Sequence, residues 1–197
     1  MLPNKHLALK ELTSEIKEKL FNDIREFRNT FDLPVAQPDG FNSKHDDLHT
    51  SLYLEELQEL ALSTSKIDIA DSIGDQVYVL VGRVVQHGGW SIEIEYIVDV
   101  LMRLAKNLDI DFLRCWDEIH SSNMSKTAKN TEEYEACERF YAENGVKVEP
   151  TMVNGLIVIK CAEDTIYKES EIKKGKVMKS IYYKEADLSF VGELKSK

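Results

Sequence analysis

The sequence predicts a mainly helical fold that gives way, toward its C-terminal end, to a small segment combining a helix with a β-hairpin. Three observations carry this. Apolar residues recur at three- and four-residue steps from about residue 10 to about 121. Leu33-Pro34, Ser63-Thr64-Ser65 and Gly88-Gly89 punctuate that stretch where helices should stop or start. Beyond it, Gly145-Val146-Lys147-Val148 and Leu156-Ile157-Val158-Ile159 flank Asn154-Gly155, a two-residue hairpin signal.

The first helix, about 10 to 31, follows from Leu12, Ile16, Leu20, Ile24, Phe27 and Phe31, and Leu33-Pro34 ends it. Pro38-Asp39-Gly40 is a turn, and Ser43 with Asp46 has the pattern of an N-cap opening a helix over about 44 to 62. The next helix runs from about 67 to 87 and carries the apolar run Val77-Tyr78-Val79-Leu80-Val81, so it is enclosed on most sides. Two more follow at about 91 to 108 and 110 to 121, the second with Phe112, Leu113, Trp116 and Ile119. A helix at about 131 to 143 precedes the hairpin, and a smaller strand is expected over Lys176 to Tyr183.

Length and composition bound the class. A chain of 197 residues suffices for one well-buried domain with a small appendage. Hydrophobic residues make up 43% and charged residues 30%, and no apolar run reaches the roughly 18 residues of a membrane span. Met1 to Lys10 has no apolar signal core, and Cys115, Cys137 and Cys161 are odd in number and widely spaced, against a disulfide framework. A cytoplasmic protein is expected. A net charge of -10 with no basic stripe argues against binding nucleic-acid backbone.

The densest chemistry lies in Glu55-Glu56-x-x-Glu59 and Asp71-x-x-x-Asp75, on adjacent helices. On a helical wheel Glu56 and Glu59 fall about 60° apart with Glu55 about 40° further round, while Leu54, Leu57, Leu60 and Ala61 take the other side. The leucines are therefore expected to face the core. Asp71 and Asp75 lie one turn apart, in line with Val79 and Gly82. Acidic residues at helical spacing usually form a solvated face. Here the second helix is enclosed, and several carboxylates close together away from water raise one another's pKa unless a cation is present. All-oxygen ligands suit Mg²⁺, or Mn²⁺, rather than zinc.

Three stretches extend the pattern. The acidic helices, the segment Glu118-Ile119-His120-Ser121-Ser122-Asn123-Met124-Ser125-Lys126, and the tail Gly175-Lys176-Val177-Met178-Lys179-Ser180 with Tyr183 and Ala186-Asp187-Leu188 resemble the all-α NTP pyrophosphohydrolase superfamily (MazG-like). The likeness is closest to its phosphoribosyl-ATP pyrophosphohydrolase-like branch, whose first helix Phe27 to Pro34 also resembles. The resemblance implies an all-α NTP pyrophosphohydrolase-like helical bundle that binds Mg²⁺ and cleaves pyrophosphate from a nucleoside triphosphate. Matched position by position, Glu56 and Glu59 are the first-helix ligands and Asp75 the last ligand of the second. The superfamily has Glu-x-x-Asp there, whereas this chain has Ser72 three residues before Asp75, so Asp71 is the candidate fourth ligand. Glu55 is the candidate general base or second-metal ligand. The helix at about 91 to 108 and the segment 127 to 174 are additions to a minimal member.

Asn123 and Lys126 follow a helix end, where an amide and an ammonium can reach phosphate; Lys179 and Tyr183 can do the same from the tail. The expected organisation is a helical catalytic core over 1–126, an inserted helix and hairpin over 127–174 folding over the site, and a tail, 175–197, packing back on the core. His45 and His49 line up with Glu56 but have no third nitrogen or sulfur ligand for zinc, and His120 reads as a packed or exposed residue. The substrate stays open among nucleoside triphosphates, phosphoribosyl-ATP, dUTP and dCTP. A non-catalytic nucleotide-binding protein and a structural helical oligomer stay open too. A homodimer or homotetramer through the long helices is expected.

Overall fold

The structure, a computed structural model, describes residues 10–36 and 43–193, with residues 43–46 and 48 described by backbone alone. The turn at Pro38-Asp39-Gly40 and the side chains of Ser43, His45 and Asp46 lie outside the described residues. The protein is mainly helical, with two small hairpins toward the C-terminal end. In chain order the elements are α1 (Ser14–Thr30), α2 (Ser43–Leu62), α3 (Lys66–His87), α4 (Ile92–Asn107), α5 (Phe112–Met124), α6 (Thr131–Glu143), β1 (Val148–Val153), β2 (Leu156–Cys161), β3 (Thr165–Tyr167) and β4 (Ser170–Ile172), then a 3-10 turn at Ser189–Val191. No helix among the described residues is long and apolar enough to cross a membrane.

The chain divides into two compact units. Residues 29–33 and 121–186 form the second, and the rest of the described chain forms the first. The tail is therefore shared, with 187–193 in the first unit and the residues before it in the second.

In the first unit α3 is the central element. Ser65 opens it with a reciprocal capping box: its hydroxyl accepts from Asp68 N at 3.0 Å, and Asp68 accepts from Ser65 N at 3.1 Å. Gly88, at φ 79°, closes it in the left-handed conformation that lets Gly89 N reach Val84 O at 3.0 Å. Between these caps Ala70, Ile73, Val77, Val81, Val84 and Val85 are buried, as are Leu20 and Ile24 of α1, Val98 and Ala105 of α4, and Trp116 of α5. The Trp116 indole donates to Asp23 at 2.7 Å, so the largest core ring has its polar atom satisfied. The buried Lys66 ammonium donates to Asp109 O at 3.1 Å and Val191 O at 3.0 Å, holding the end of the described chain to the start of α3. Arg114 rests 3.7 Å over the Phe190 ring beside it.

The second unit gathers α6 and both hairpins around Tyr134, Cys137, Tyr141, Val148, Ile157, Ile159, Cys161, Ile172 and Met178. The β1–β2 hairpin forms as expected around Asn154 (φ 50°) and Gly155 (φ 82°), with Val153 opposite Leu156 and Val148 opposite Cys161. The strand expected over Lys176 to Tyr183 shrinks to a single bridge between Lys160 and Val177: Gly175 N, Lys176 O and Met178 N bond to β2, and the chain then turns away. The second hairpin, β3–β4, was not signalled. Its turn residues Lys168 (φ 48°) and Glu169 (φ 66°) both adopt left-handed backbone without glycine or asparagine. All three cysteines are free and buried, and burial pushes the Cys115 thiol up to about 11.

One buried carboxylate sets how the chain enters α1. Asp99 of α4 accepts from three successive backbone groups, Lys10 N (3.1 Å), Glu11 N (2.8 Å) and Leu12 N (2.9 Å). Asp99→Asn keeps the shape but has one acceptor oxygen, so it retains the bonds from Glu11 N and Leu12 N, loses the one from Lys10 N, and should lower unfolding free energy by about 2 kcal/mol in urea denaturation.

Candidate functional site

The site is built on the antiparallel contact of α2 with α3. His49 Nε2 lies 2.9 Å from Gln86 Oε1 at one end, and Ser63 Oγ lies 3.4 Å from Ser72 Oγ at the other. Gln86 Oε1 also accepts from the Arg28 guanidinium at 2.9 Å, so His49 must donate through Nε2. Arg28 is buried, donates to Pro34 O at 2.7 Å as well, and is pushed down to about 10 by burial. Gly82 gives this corner its room, since a Cβ there would stand 3.3 Å from the His49 ring and 3.7 Å from Arg28.

Midway along the contact lies Glu56, and here the wheel-based orientation of α2 needs correction. Leu54 is 56% exposed and Leu57 41%, and Ala61 is exposed too, whereas the half-buried Glu56 lies on the face carrying His49 and Ser63. Leu54 and Leu57 do not face the core, while Leu60 is half-buried. A wheel shows only that two faces differ; α3 meets the one carrying His49, Glu56 and Ser63, whose polar ends find partners on α3.

That packing has an electrostatic consequence. Burial pushes the Glu56 carboxyl up to about 7, and the negative charges of Asp75, Glu59, Glu55 and Asp71 add to the shift in that order. All five carboxylates singled out from the sequence thus act on one point. Glu55, Glu59 and Asp71 are exposed and Asp75 is half-buried. The Glu56 Oε2 atom is shut off from solvent with no hydrogen-bond partner among the described residues. Among those residues no group of three or more His, Cys, Asp or Glu side chains is placed so that it could hold a metal ion. In chemistry, though not in spacing, these carboxylates with one buried oxygen unsatisfied match the all-oxygen donor set of a hard divalent cation. Ser72 is buried and its hydroxyl turns to Ser63, so it offers no ligand in place of a glutamate.

The other four candidates belong to the second unit. The Lys126 ammonium donates to Asn123 Oδ1 at 2.6 Å where α5 ends, and Lys126 O accepts from Ser180 N at 3.0 Å. Ser122 Oγ donates to the Tyr183 hydroxyl at 3.0 Å, and the Lys179 ammonium sits 4.2 Å over the Tyr183 ring. Two motifs more than fifty residues apart in sequence are thereby joined.

Two polar features had no sequence signal. Tyr78 OH lies 3.1 Å from His120 Nδ1, and His120 Nε2 lies 3.5 Å from a Glu26 carboxylate oxygen, so His120 is engaged on both sides. Gln76, fully buried on α3, has neither amide atom hydrogen-bonded among the described residues. No spacing rule links residues 26, 78 and 120 before the helices are assembled. No family model, curated protein or solved structure matches the chain.

Glu56 makes stability depend on pH with a definite sign. Its carboxyl holds a proton in the folded protein up to about 7 but releases it near 4.5 when exposed, so ionisation opposes folding. Metal-free stability should therefore fall as pH rises from about 4.5 to about 7 and then level off. After allowance for solvent screening of this half-buried group, the loss should be about 2 kcal/mol. Glu56→Gln should remove that slope and be the more stable protein at pH 8 in EDTA, as read from thermal melts across pH.

Proposed function

We propose that the protein is a Mg²⁺-dependent nucleoside triphosphate pyrophosphohydrolase, releasing pyrophosphate and a nucleoside monophosphate. The observation that carries this reading is the raised, partly orphaned Glu56 carboxyl at the convergence of four other acids. A half-buried carboxyl facing four other acids is not placed there for stability, since their charges oppose its ionisation. Glu56, Glu59, Asp75 and Asp71 would hold the cation. When bound, Mg²⁺ or Mn²⁺ supplies charge neutralisation of phosphate oxygens and a lowered pKa for the attacking water.

The chain's own groups have distinct tasks. Glu55, on the exposed side of the cluster, accepts the proton of the attacking water or joins a second cation. Asn123 and Lys126, already paired at 2.6 Å, offer an amide and an ammonium for phosphate oxygens, and Lys179 and Tyr183 add a second cation and a hydroxyl. Phosphoryl transfer asks little covalent help of a protein, so charge and position are what these residues provide. The same site would serve phosphoribosyl-ATP, dUTP or dCTP. A non-catalytic nucleotide-binding protein is the second reading, and the buried, hydroxyl-bonded Ser72 favours it.

The exposed stripe of Leu54, Leu57 and Ala61 on α2, with Leu62 68% exposed at its end, supports a homodimer or homotetramer. Leu54→Asp with Leu57→Asp should halve or quarter the mass seen by light scattering; an unchanged mass places the interface elsewhere.

Pyrophosphate release from a panel of canonical and modified nucleotides decides the main reading. Glu59→Gln and Asp75→Asn should each reduce turnover at saturating Mg²⁺ to background while the circular dichroism spectrum is kept. The Mg²⁺ concentration for half activity should rise as pH falls below about 7, because a proton then competes for Glu56. Nucleotide binding without turnover in any condition would select the non-catalytic reading.

A further inference from the structure

The second unit contains a cavity of about 510 Å³ between α6, the β3–β4 hairpin and the 176–183 segment. Its walls combine three tyrosines, Tyr141, Tyr167 and Tyr183, with three lysines, Lys168, Lys176 and Lys179, and among the described residues no carboxylate lines it. In a chain of net charge -10 this is a local reversal of sign. The lysines are exposed, so their charge is available without desolvation. Two are held by rings: the Lys179 ammonium lies 4.2 Å over Tyr183 and that of Lys168 lies 5.3 Å over Tyr167.

The aromatic wall is rigid. Tyr141 and Tyr167 meet edge to face with centroids 5.9 Å apart, and the Tyr141 hydroxyl donates to Lys179 O at 2.6 Å. That bond ties the tail carrying Lys179 to α6. The hairpin carrying Tyr167 and Lys168 is clamped at its base by Lys173, which pairs with Asp164 at 3.2 Å, while Lys174 N donates to Asp164 at 2.8 Å.

We propose that this cavity is a metal-independent binding site for a nucleoside monophosphate, its base against the tyrosines and its phosphate on the lysines. The volume falls in the range of small-ligand sites, which is too small for a folded partner. Flat rings provide sequence-tolerant stacking for any base, and clustered ammonium groups without a competing acid select the dianion. A sugar phosphate would leave the tyrosine wall unused, and a nucleoside would leave the lysines unused. The site shares Lys179 and Tyr183 with the phosphate contacts proposed for hydrolysis, and goes beyond that reading in needing neither a metal nor the carboxylates of α2 and α3.

The test is calorimetric titration of the full chain carrying Glu56→Gln, in EDTA, so that metal-mediated binding to the carboxylates cannot contribute. AMP and UMP should saturate a single site, with adenosine and ribose 5-phosphate weaker by about tenfold or more. Lys168→Glu with Lys176→Glu, both at exposed positions, should weaken AMP by about tenfold or more while the melting temperature is kept. On the protein without lysine changes, AMP should shift the ring resonances of Tyr167 and Tyr183 in NMR spectra. Absence of AMP binding at millimolar concentration, ribose 5-phosphate binding as tightly as AMP, or unchanged affinity in the double variant would each overturn the proposal. Loss of hydrolysis with this binding intact would instead count against the carboxylate reading alone.

Discussion

The contact of α2 with α3 decides which chemistry the first unit can hold. Helix α3 is committed on most sides by its buried aliphatic residues, and α2 meets it through a row that includes His49, Glu56 and Ser63. The ends of that row are hydrogen-bonded and the middle is a carboxylate facing other carboxylates. A helix pair joined by Leu54 and Leu57 would have been the easier association. The observed one leaves those leucines in solvent and holds negative charge at the helix contact, so the pair is less stable by itself than its composition allows.

Each consequence of that arrangement has its own physical remedy. A cation among the acids would relieve their mutual repulsion, and a second surface over the leucines would remove apolar area from water. On the proposed reading, stability, metal affinity and assembly would be linked through the orientation of one helix. His49 ties that orientation to the buried Arg28–Gln86 pair, since Gln86 Oε1 accepts from both the guanidinium and the imidazole.

Much of the helical scaffold was legible from apolar spacing and from residues that stop helices. Ser65, Gly88 and Asn154-Gly155 act where their local chemistry says they should. The carboxylate cluster was legible as a set, because i, i+3 and i, i+4 spacing survives into the structure. The direction of α2 was not, since amphipathicity gives the two faces and not which of them meets the neighbour. The β3–β4 hairpin was hidden because its strands are three residues each and its turn uses Lys168 and Glu169, which carry no turn preference. The link between Ser122 and Tyr183 and the pairing of Tyr78 with His120 had no sequence signal, because both are products of tertiary packing.

The distribution of thiols has a practical outcome. Cys115 lies in the first unit, Cys137 and Cys161 in the second, and all are buried. A disulfide-exchange reagent can then modify each only when its surroundings open, and opening removes the burial that raises the Cys115 thiol. The time course of modification under native conditions, followed by peptide mass, therefore reports the opening free energy of each unit separately. It does so without any introduced label, and shows whether the helical unit and the hairpin unit unfold as one cooperative body or as two.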